Sequence, residues 1–344
     1  MILEYKDVLL RHKKSIVASR SECDTSAVLG SHTFAVPVVA ANMKSLVTRD
    51  ICKQFDEANW FYVYPRIDGA KDVYSFADEA ERTFDVTSIS VGVKQEWIDL
   101  VKSLSEETIK VDYFTVDVAL SYNENVLPIL KTIKEYYPNA YVICGNGATA
   151  EWVKWIKSFG LIDCIKVGIG VSQACRTRQY TGFGSSTLGS LDECYKASMG
   201  CDRSFLRDTG GSILKDVDEN PIYDEYGVDI ISDGGLTIQD GVVCIGDIAK
   251  AIRFGADFVM SGALFARCID SPALRNGYYG NASREAKGSH HVEGELIKVE
   301  SNGLTIKEMM KLIQDSLKSS ISYAGGKDLI ALAHADYEIV GAKS

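Results

Sequence analysis

Short apolar runs alternate with amphipathic stretches along most of the chain. Eight runs rich in β-branched and aromatic residues have the length of buried strands, and they cover residues 33–40, 60–64, 87–93, 111–118, 140–144, 162–167, 227–231 and 256–260. Helical spacing of apolar positions follows at residues 48–59, 73–84, 97–104, 124–137, 150–159 and 245–254. This alternation predicts an α/β fold, a closed (β/α)8 TIM barrel that forms a single domain over residues 1–344.

An open, doubly wound sheet is the alternative fold. Such a sheet usually carries Gly-x-Gly-x-x-Gly after its first strand, whereas the first predicted strand here is followed by Ala41-Asn42-Met43. The barrel is therefore favoured. The carboxyl ends of barrel strands lie on one face, where active sites are built. The residues at or just beyond the predicted strand ends are Asn42, Arg66, Asp117, Asn146, Cys175, Asp233 and Gly262.

Two polar segments interrupt or follow the barrel pattern. Residues 201–226 are acidic and contain Gly210-Gly211 and Pro221, which predicts an inserted loop on the N-terminal face. A solvated loop is the simpler interpretation, and an interface or regulatory role is the alternative.

Residues 278–300 are polar and contain several glycines, which predicts a C-terminal flap over the active site, followed by a helix at 305–320. The pair His290-His291 in the flap does not predict a metal site, because adjacent side chains on an extended loop point apart.

The charge and cysteine content narrow the possible partners and the location. A net charge of −10 and a pI of about 5.1 disfavour binding to nucleic acid or to an anionic membrane. No signal peptide is evident, and no apolar stretch has the length of a membrane span. The nine cysteines form no Cys-x-x-Cys pair. We therefore expect reduced thiols in a cytoplasmic protein.

Candidate chemistry is concentrated in residues 166–184. Gly168 and Gly170 follow an apolar strand and allow a sharp turn close to a ligand. Cys175 comes five residues later, with Arg176 and Arg178 beside it. Guanidinium groups near a thiol favour the nucleophilic thiolate. The pattern predicts a reactive cysteine, and a buried structural cysteine is the alternative.

Together with this loop, an ordered set of fragments resembles the IMP dehydrogenase/GMP reductase family over nearly the whole chain. The fragments lie at residues 5–10, 41–43, 165–170, 175–178, 231–235, 246–250, 255–260, 279–283 and 319–326. IMP dehydrogenases usually carry a regulatory domain after the second strand, whereas this chain has ordinary strand–helix–strand spacing there. The fragments at 279–283 and 319–326 also resemble the bacterial reductase branch.

The resemblance implies reduction of GMP by NADPH to IMP and ammonia. Cys175 would add to purine carbon 2, and Thr177 with Glu293 of the flap would handle the proton for the departing ammonia. Asp233 would bind the ribose, while Asp117 and Arg66 would line the cofactor and the reacting centre. The resemblance also implies a homotetramer and a potassium ion at the backbone carbonyls of Gly168, Gly170 and Cys175. The remaining substrate-binding positions are Gly234, Gly235, Gly262, Ala263, Gln173, Tyr279 and Gly280.

The chain departs from the family pattern mainly at the phosphate end of the ligand. The family loop reads Gly-x-Gly-Pro-Gly-Ser-x-Cys, but residues 171–173 are Val-Ser-Gln, Ala263 replaces a glycine, and the loop at 236–245 is longer. Arg176 stands where threonine is usual, and His290 where arginine is common. We expect altered phosphate binding with the carbon-2 chemistry kept. Alternatives are a related enzyme on a modified purine nucleotide, the IMP dehydrogenase direction, or a nucleotide-binding relative without turnover. Cys175, Thr177 and Glu293 argue against the last.

Overall fold

A parallel sheet of seven strands is the centre of the computed structural model, which describes residues 2–199, 227–281, 283 and 294–340. The described strands are β1 (Val8–Leu10), β2 (Ala27–Leu29), β3 (His32–Phe34), β4 (Val38–Ala40), β5 (Ser88–Val91), β6 (Tyr113–Asp117), β7 (Tyr141–Gly147), β8 (Cys164–Val167), β9 (Asp229–Asp233), β10 (Ile238–Gln239), β11 (Val242–Val243), β12 (Phe258–Ser261), β13 (Tyr278–Tyr279), β14 (Leu296–Ile297) and β15 (Tyr337–Ile339). The central sheet has the order β4-β12-β9-β8-β7-β6-β5. The predicted loop at 201–226 lies outside the described residues.

The segment predicted as the second barrel strand, residues 60–64, flanks the β5 edge of this sheet. Tyr64 forms a parallel bridge with Ile89, and its carbonyl accepts a 2.9 Å hydrogen bond from the Ser90 amide. From the same segment, Phe61 reaches Phe258 at the start of β12, with ring centroids 6.0 Å apart. The sheet is therefore curled so that its two edges approach each other, and the predicted TIM-barrel-like α/β class is confirmed.

Aromatic side chains fill the N-terminal end of the curled sheet. The centroids of the Phe34 and Phe61 rings lie 5.2 Å apart, and each lies 5.0–6.1 Å from the ring centroids of Tyr113 and Phe258. Phe34 belongs to a hairpin of β2 and β3, to which Tyr113 is tied by a 2.6 Å hydrogen bond to the Leu29 carbonyl. The prediction of one strand at 33–40 was therefore wrong in part. The run is divided into β3 and β4, since the chain turns near Pro37, which has no N–H for a ladder.

Helices cover the outside of the sheet. The described helices are α1 (Arg49–Glu57), α2 (Ala70–Thr83), α3 (Gln95–Glu106), α4 (Leu127–Tyr136), α5 (Ala150–Lys157), α6 (Thr177–Thr181), α7 (Leu188–Ser198), α8 (Asp247–Arg253), α9 (Ala263–Ala266), α10 (Pro272–Asn276), α11 (Ile306–Ala324) and α12 (Ile330–Ala333). A capping box between Thr305 and Glu308 begins α11, and Gly325 in the left-handed region ends it. The helix predicted at 305–320 is thus present and one turn longer. Across the described ranges, no helix has the length and apolar character needed to cross a membrane.

Two small antiparallel pairs stand on the carboxyl-end face. The longer loop at 236–245 forms a hairpin of β10 and β11, turning at Asp240 and Gly241, both with positive φ. The described part of the 278–300 segment begins and ends in β13 and β14, which pair with each other. The described segments that flank residues 284–293 therefore meet beside the barrel mouth. At the other end of the fold, β1 pairs with β15 and joins the two ends of the chain.

Candidate active site

A cavity of about 210 Å³ opens at the carboxyl ends of the parallel strands. All seven strand-end residues singled out from the sequence line it. The cavity wall therefore includes Asn42, Arg66, Asp117, Asn146, Cys175, Asp233 and Gly262, and also Gly168, Gly170, Thr177, Gly234 and Gly280. Other predicted site residues are not part of this wall, and these are Gln173, which is exposed, Gly235, Ala263 and Tyr279. Glu293 lies outside the described residues.

Cys175 is held at the cavity by a tight loop after β8. Gly168 has φ 150°, and a Cβ there would lie 2.5 Å from the Asp233 carbonyl oxygen, so a larger residue cannot be accommodated. Gly170 has φ 68° and packs against the Arg178 side chain. The loop brings the Cys175 Sγ within 3.1 Å of Thr177 Oγ1, a hydrogen bond in which either group can donate. A thiol and a hydroxyl in mutual contact thus share one wall of the cavity.

The two arginines beside Cys175 bind other groups. Arg176 forms an ion pair with Glu295, and Arg178 donates to the Ser185 carbonyl and lies 3.8 Å from a Glu4 carboxylate oxygen. Sequence proximity suggested that both guanidiniums stabilise a thiolate. The structure instead directs them to acidic or carbonyl partners, and the hydroxyl of Thr177 is the group in contact with the sulfur.

A buried lysine, which the sequence analysis did not select, joins the two aspartates of the site. Lys166 is 2% exposed, and its Nζ lies 2.9 Å from Asp117 Oδ1 and 3.2 Å from Asp233 Oδ2. Its signal in the sequence was a charged residue within the apolar strand β8. Because a lone buried ammonium is unfavourable, its presence required carboxylates on neighbouring strands.

The charges in this cluster stabilise each other. Burial lowers the pKa of Lys166, but the two carboxylates outweigh this effect and raise the pKa above its usual value. Burial raises the pKa of Asp117, but the charges of Lys166 and Arg66 outweigh burial and hold that pKa below the ordinary value. Asp117 is therefore ionised and Lys166 protonated at neutral pH. Arg66 reinforces the arrangement through a 2.9 Å hydrogen bond from Nε to the Asp117 carbonyl.

Asp233 is fixed from two sides. Its Oδ2 accepts hydrogen bonds from Lys166 Nζ and, at 2.7 Å, from Asn146 Nδ2. Asn146 also donates to the Gly168 carbonyl at 2.9 Å, so β7, β8 and β9 are connected at their carboxyl ends. With Oδ2 committed in this way, Oδ1 is the oxygen that can accept hydroxyl groups of a ligand.

Another part of the cavity wall holds two hydroxyl groups. Ser172 Oγ lies 3.4 Å from the hydroxyl of Tyr278, and a Cβ on Gly262 would lie 2.2 Å from that hydroxyl. Burial raises the pKa of Tyr278 to about 12 despite its hydrogen bond with Ser172, so the phenol stays neutral. The sequence pattern predicted Gln173 and Tyr279 at this position. The preceding residues, Ser172 and Tyr278, line the cavity instead, because side chains of adjacent residues point in different directions.

Residues 294 and 295 lie directly against the loop that carries the cysteine. Gly294 forms an antiparallel bridge with Cys175, and the Glu295 amide donates to the Ala174 carbonyl at 3.2 Å. Glu293, the residue before Gly294, is not described. In the described ranges, no group of three or more His, Cys, Asp or Glu side chains is placed to bind a metal.

Comparisons with known proteins identify the family of the chain. The model of the IMP dehydrogenase / GMP reductase domain matches residues 71–220 and 212–340. A GMP reductase of Staphylococcus carnosus is 38% identical over 350 aligned positions, which cover 98% of this chain and 96% of the relative. GMP reductases of Clostridium acetobutylicum and Helicobacter pylori are each 37% identical over the same shares. The chain belongs to the IMP dehydrogenase/GMP reductase family. It is accordingly an oxidoreductase with a TIM-barrel-like fold.

Proposed function

We propose that the protein catalyses the NADPH-dependent reductive deamination of GMP to IMP. The observation that carries the proposal is the contact between Cys175 and Thr177 in the wall of a cavity that Asp233 also lines. That arrangement offers a sulfur nucleophile, a hydroxyl able to move a proton, and a carboxylate for the ribose. Relatives named GMP reductase that match almost the full length support the same assignment.

The proposed reaction consumes GMP, NADPH and a proton and yields IMP, NADP⁺ and ammonia. The Cys175 sulfur adds to purine carbon 2, and the thiol proton passes toward the amino group. The bond between carbon 2 and the amino nitrogen then breaks, ammonia leaves with the bonding electrons, and carbon 2 stays attached to sulfur. NADPH, when bound, supplies the hydride that carbon 2 accepts. The carbon–sulfur bond finally breaks toward sulfur, which releases IMP and leaves Cys175 as a thiolate, and the consumed proton restores the thiol.

Residues of this chain assist each stage. Thr177 relays the proton because its Oγ1 lies 3.1 Å from the Cys175 sulfur. Glu293 is proposed to handle, together with Thr177, the proton for the departing ammonia, as the family resemblance implies, and it lies outside the described residues. A thiolate is both a good nucleophile and a good leaving group, which the two carbon–sulfur steps require.

The cofactor end of the cavity is proposed to lie at Arg66 and Asp117. Arg66 uses Nε to contact Asp117, and its side chain is 19% exposed at the cavity wall. A cation at this position suits a negatively charged dinucleotide. These two residues would hold the nicotinamide portion of NADPH next to carbon 2, and the preference for NADPH over NADH is part of the proposal.

The nucleotide is proposed to run from Asp233 to Ser172. Asp233 Oδ1 accepts the ribose hydroxyls, and the Ser172 and Tyr278 hydroxyls donate to the phosphate beside Gly234 and Gly262. Gly235, Ala263 and Gly280 complete the backbone around this end. Gly235 is needed for its φ of 79° and for its approach to Thr187, whose Cγ2 would lie 2.6 Å from an added Cβ.

This placement predicts that Ser172, not Gln173, recognises the phosphate. In Ser172→Ala the KM for GMP rises about tenfold, because one hydrogen bond to a charged group is lost. The matched variant Gln173→Ala leaves KM within about twofold, since the Gln173 side chain is exposed. Initial rates of NADPH oxidation against GMP concentration measure both. A large effect of Gln173→Ala with none of Ser172→Ala would contradict the placement.

Three further components belong to the proposal. A potassium ion is proposed at the carbonyls of Gly168, Gly170 and Cys175, where backbone oxygens suit a hard cation; the Gly168 carbonyl also accepts from Asn146. The eight described cysteines are all free, which supports a cytoplasmic location. The proposed assembly is a homotetramer, which light scattering would test.

The proposed potassium ion is tested by exchanging potassium for tetramethylammonium in the buffer and measuring the turnover rate.

The proposal is tested by nicotinamide absorbance in two mixtures. Enzyme with GMP and NADPH is expected to oxidise NADPH and release one ammonia per NADPH. Enzyme with IMP and NAD⁺ is expected to remain unchanged. NAD⁺ reduction instead would assign the dehydrogenase direction. If the absorbance changes in neither mixture while Cys175 still reacts with a thiol reagent, GMP is not the substrate. That result would point to a modified purine nucleotide or to binding without turnover.

A further inference from the structure

One ion pair lies directly beside the reactive cysteine and includes Arg176, which stands where threonine is usual in the family. Arg176 pairs with Glu295, and the backbone between them is already joined by the Cys175–Gly294 bridge and by the 3.2 Å hydrogen bond from the Glu295 amide to Ala174. Glu295 immediately precedes β14, which pairs with β13. The cysteine loop is thus fastened to the β13–β14 pair at its carboxyl-terminal side.

The same loop is fastened to the same pair of strands at its other side. Ser172 Oγ lies 3.4 Å from the hydroxyl of Tyr278, the first residue of β13. Residues 172–176 are therefore held at both ends by β13 and β14, with Cys175 between the two attachments. Fixing a nucleophile at two points limits the directions in which its sulfur can lie.

We propose that Arg176 and Glu295 are positioning residues that hold residues 294–297 against the Cys175 loop. The ion pair sets how much of the thiol is covered and keeps its sulfur aimed into the cavity. The turnover part of this inference rests on the proposed function; the covering of the thiol does not. Arg178 cannot take over the role of Arg176, because its guanidinium is engaged by Ser185 and Glu4.

The pair is suited to positioning more than to overall stability. Its side chains are 38% and 46% exposed, and ion pairs of that exposure contribute little to unfolding free energy. Charge reversal is therefore compatible with folding. Because exposed pairs are screened by salt, the effect on the loop should weaken as ionic strength rises.

The test uses Arg176→Glu, Glu295→Arg and the double reversal, with Arg176→Lys as the conservative variant. Arg82→Glu is the matched control, since Arg82 forms an exposed ion pair with Asp78 on helix α2. Two quantities are measured on the full chain: the alkylation rate of Cys175 by iodoacetamide, corrected with Cys175→Ala, and kcat and KM for NADPH oxidation with GMP.

Each single reversal is expected to raise the alkylation rate about threefold to fivefold and to lower kcat about fivefold, with KM changed less than about twofold. The double reversal and Arg176→Lys return both quantities to within about twofold of the parent, and Arg82→Glu changes neither. Unchanged alkylation in the single variants, or a double variant no better than either single one, would overturn the inference. If GMP supports no turnover at all, the alkylation series still decides the positioning role separately from the proposed function.

Discussion

Replacing Cys175 with alanine lowers GMP-dependent NADPH oxidation by more than about a thousandfold, because every covalent step uses this sulfur. The affinity for GMP changes by less than about threefold, since the ribose and phosphate contacts lie elsewhere in the cavity. Steady-state rates give the first quantity, and equilibrium titration with GMP gives the second. The separation of turnover from binding is the signature of a nucleophile.

The matched control for this variant is Cys244→Ala. Cys244 is the other described cysteine with intermediate exposure, and it lies after the β10–β11 hairpin, outside the cavity lining. We expect its replacement to leave kcat within about twofold. A Cys175→Ala enzyme that retained a tenth or more of the parent rate would exclude the covalent route.

Replacing Lys166 with methionine is expected to have the second-largest effect. The variant leaves the Asp117 and Asp233 carboxylates without their buried cation, and breaking a buried pair of this kind costs about 3–5 kcal/mol of unfolding free energy. Turnover falls about a hundredfold or more, because both aspartates lose the partner that fixes them. Urea unfolding measures the first effect, and NADPH oxidation in folded protein measures the second.

The pH dependence of unfolding free energy in the same variant tests whether its lost stability comes from the ion pair. Asp117 has a lowered pKa in the folded protein, so its ion pair contributes stability above the ordinary carboxyl pKa near 4 and loses it as the pH falls further. The stability difference between parent and Lys166→Met is therefore expected to be full near pH 7 and to shrink below about pH 4.

The matched control is Lys110→Met, which removes an exposed partner of Asp112 and should cost about 1 kcal/mol or less of unfolding free energy. Equal losses of unfolding free energy in Lys166→Met and Lys110→Met would contradict the role of burial.

The barrel and its active face were predictable because both depend on local patterns. Strands β5 to β9 and β12 follow apolar runs visible in the sequence, and polar residues at their ends come together because parallel strands share one carboxyl edge. Two runs differ from the prediction. Residues 60–64 form no strand and contribute only the bridge from Tyr64 to Ile89. Residues 33–40 contain both a hairpin strand and a barrel strand, and the direction of hydrogen bonding is not encoded in apolarity.

The residues that were missed depend on partners distant in the sequence. Lys166 is explained by Asp117 and Asp233, which are 49 and 67 positions away. To choose Ser172 and Tyr278 instead of Gln173 and Tyr279, one must know which side of the chain faces the cavity. In a short loop or a two-residue strand, no periodicity reports that side.

The arginines beside Cys175 illustrate the same limit. Sequence proximity placed Arg176 and Arg178 next to the thiol, yet their carboxylate partners are Glu295 and Glu4, far along the chain in opposite directions. Charge near a nucleophile in sequence therefore does not establish charge near it in space. The distance from Thr177 Oγ1 to the sulfur is the contact that the structure supplies instead.

The most direct test of covalent deamination at Cys175 is the intact mass of the enzyme after acid quenching. Protein incubated with GMP alone is expected to gain the mass of GMP less ammonia, and the added mass should disappear as IMP forms when NADPH is supplied. Cys175→Ala should show no gain. NADPH oxidation by the parent enzyme without any adduct, together with activity in Cys175→Ala, would contradict the account.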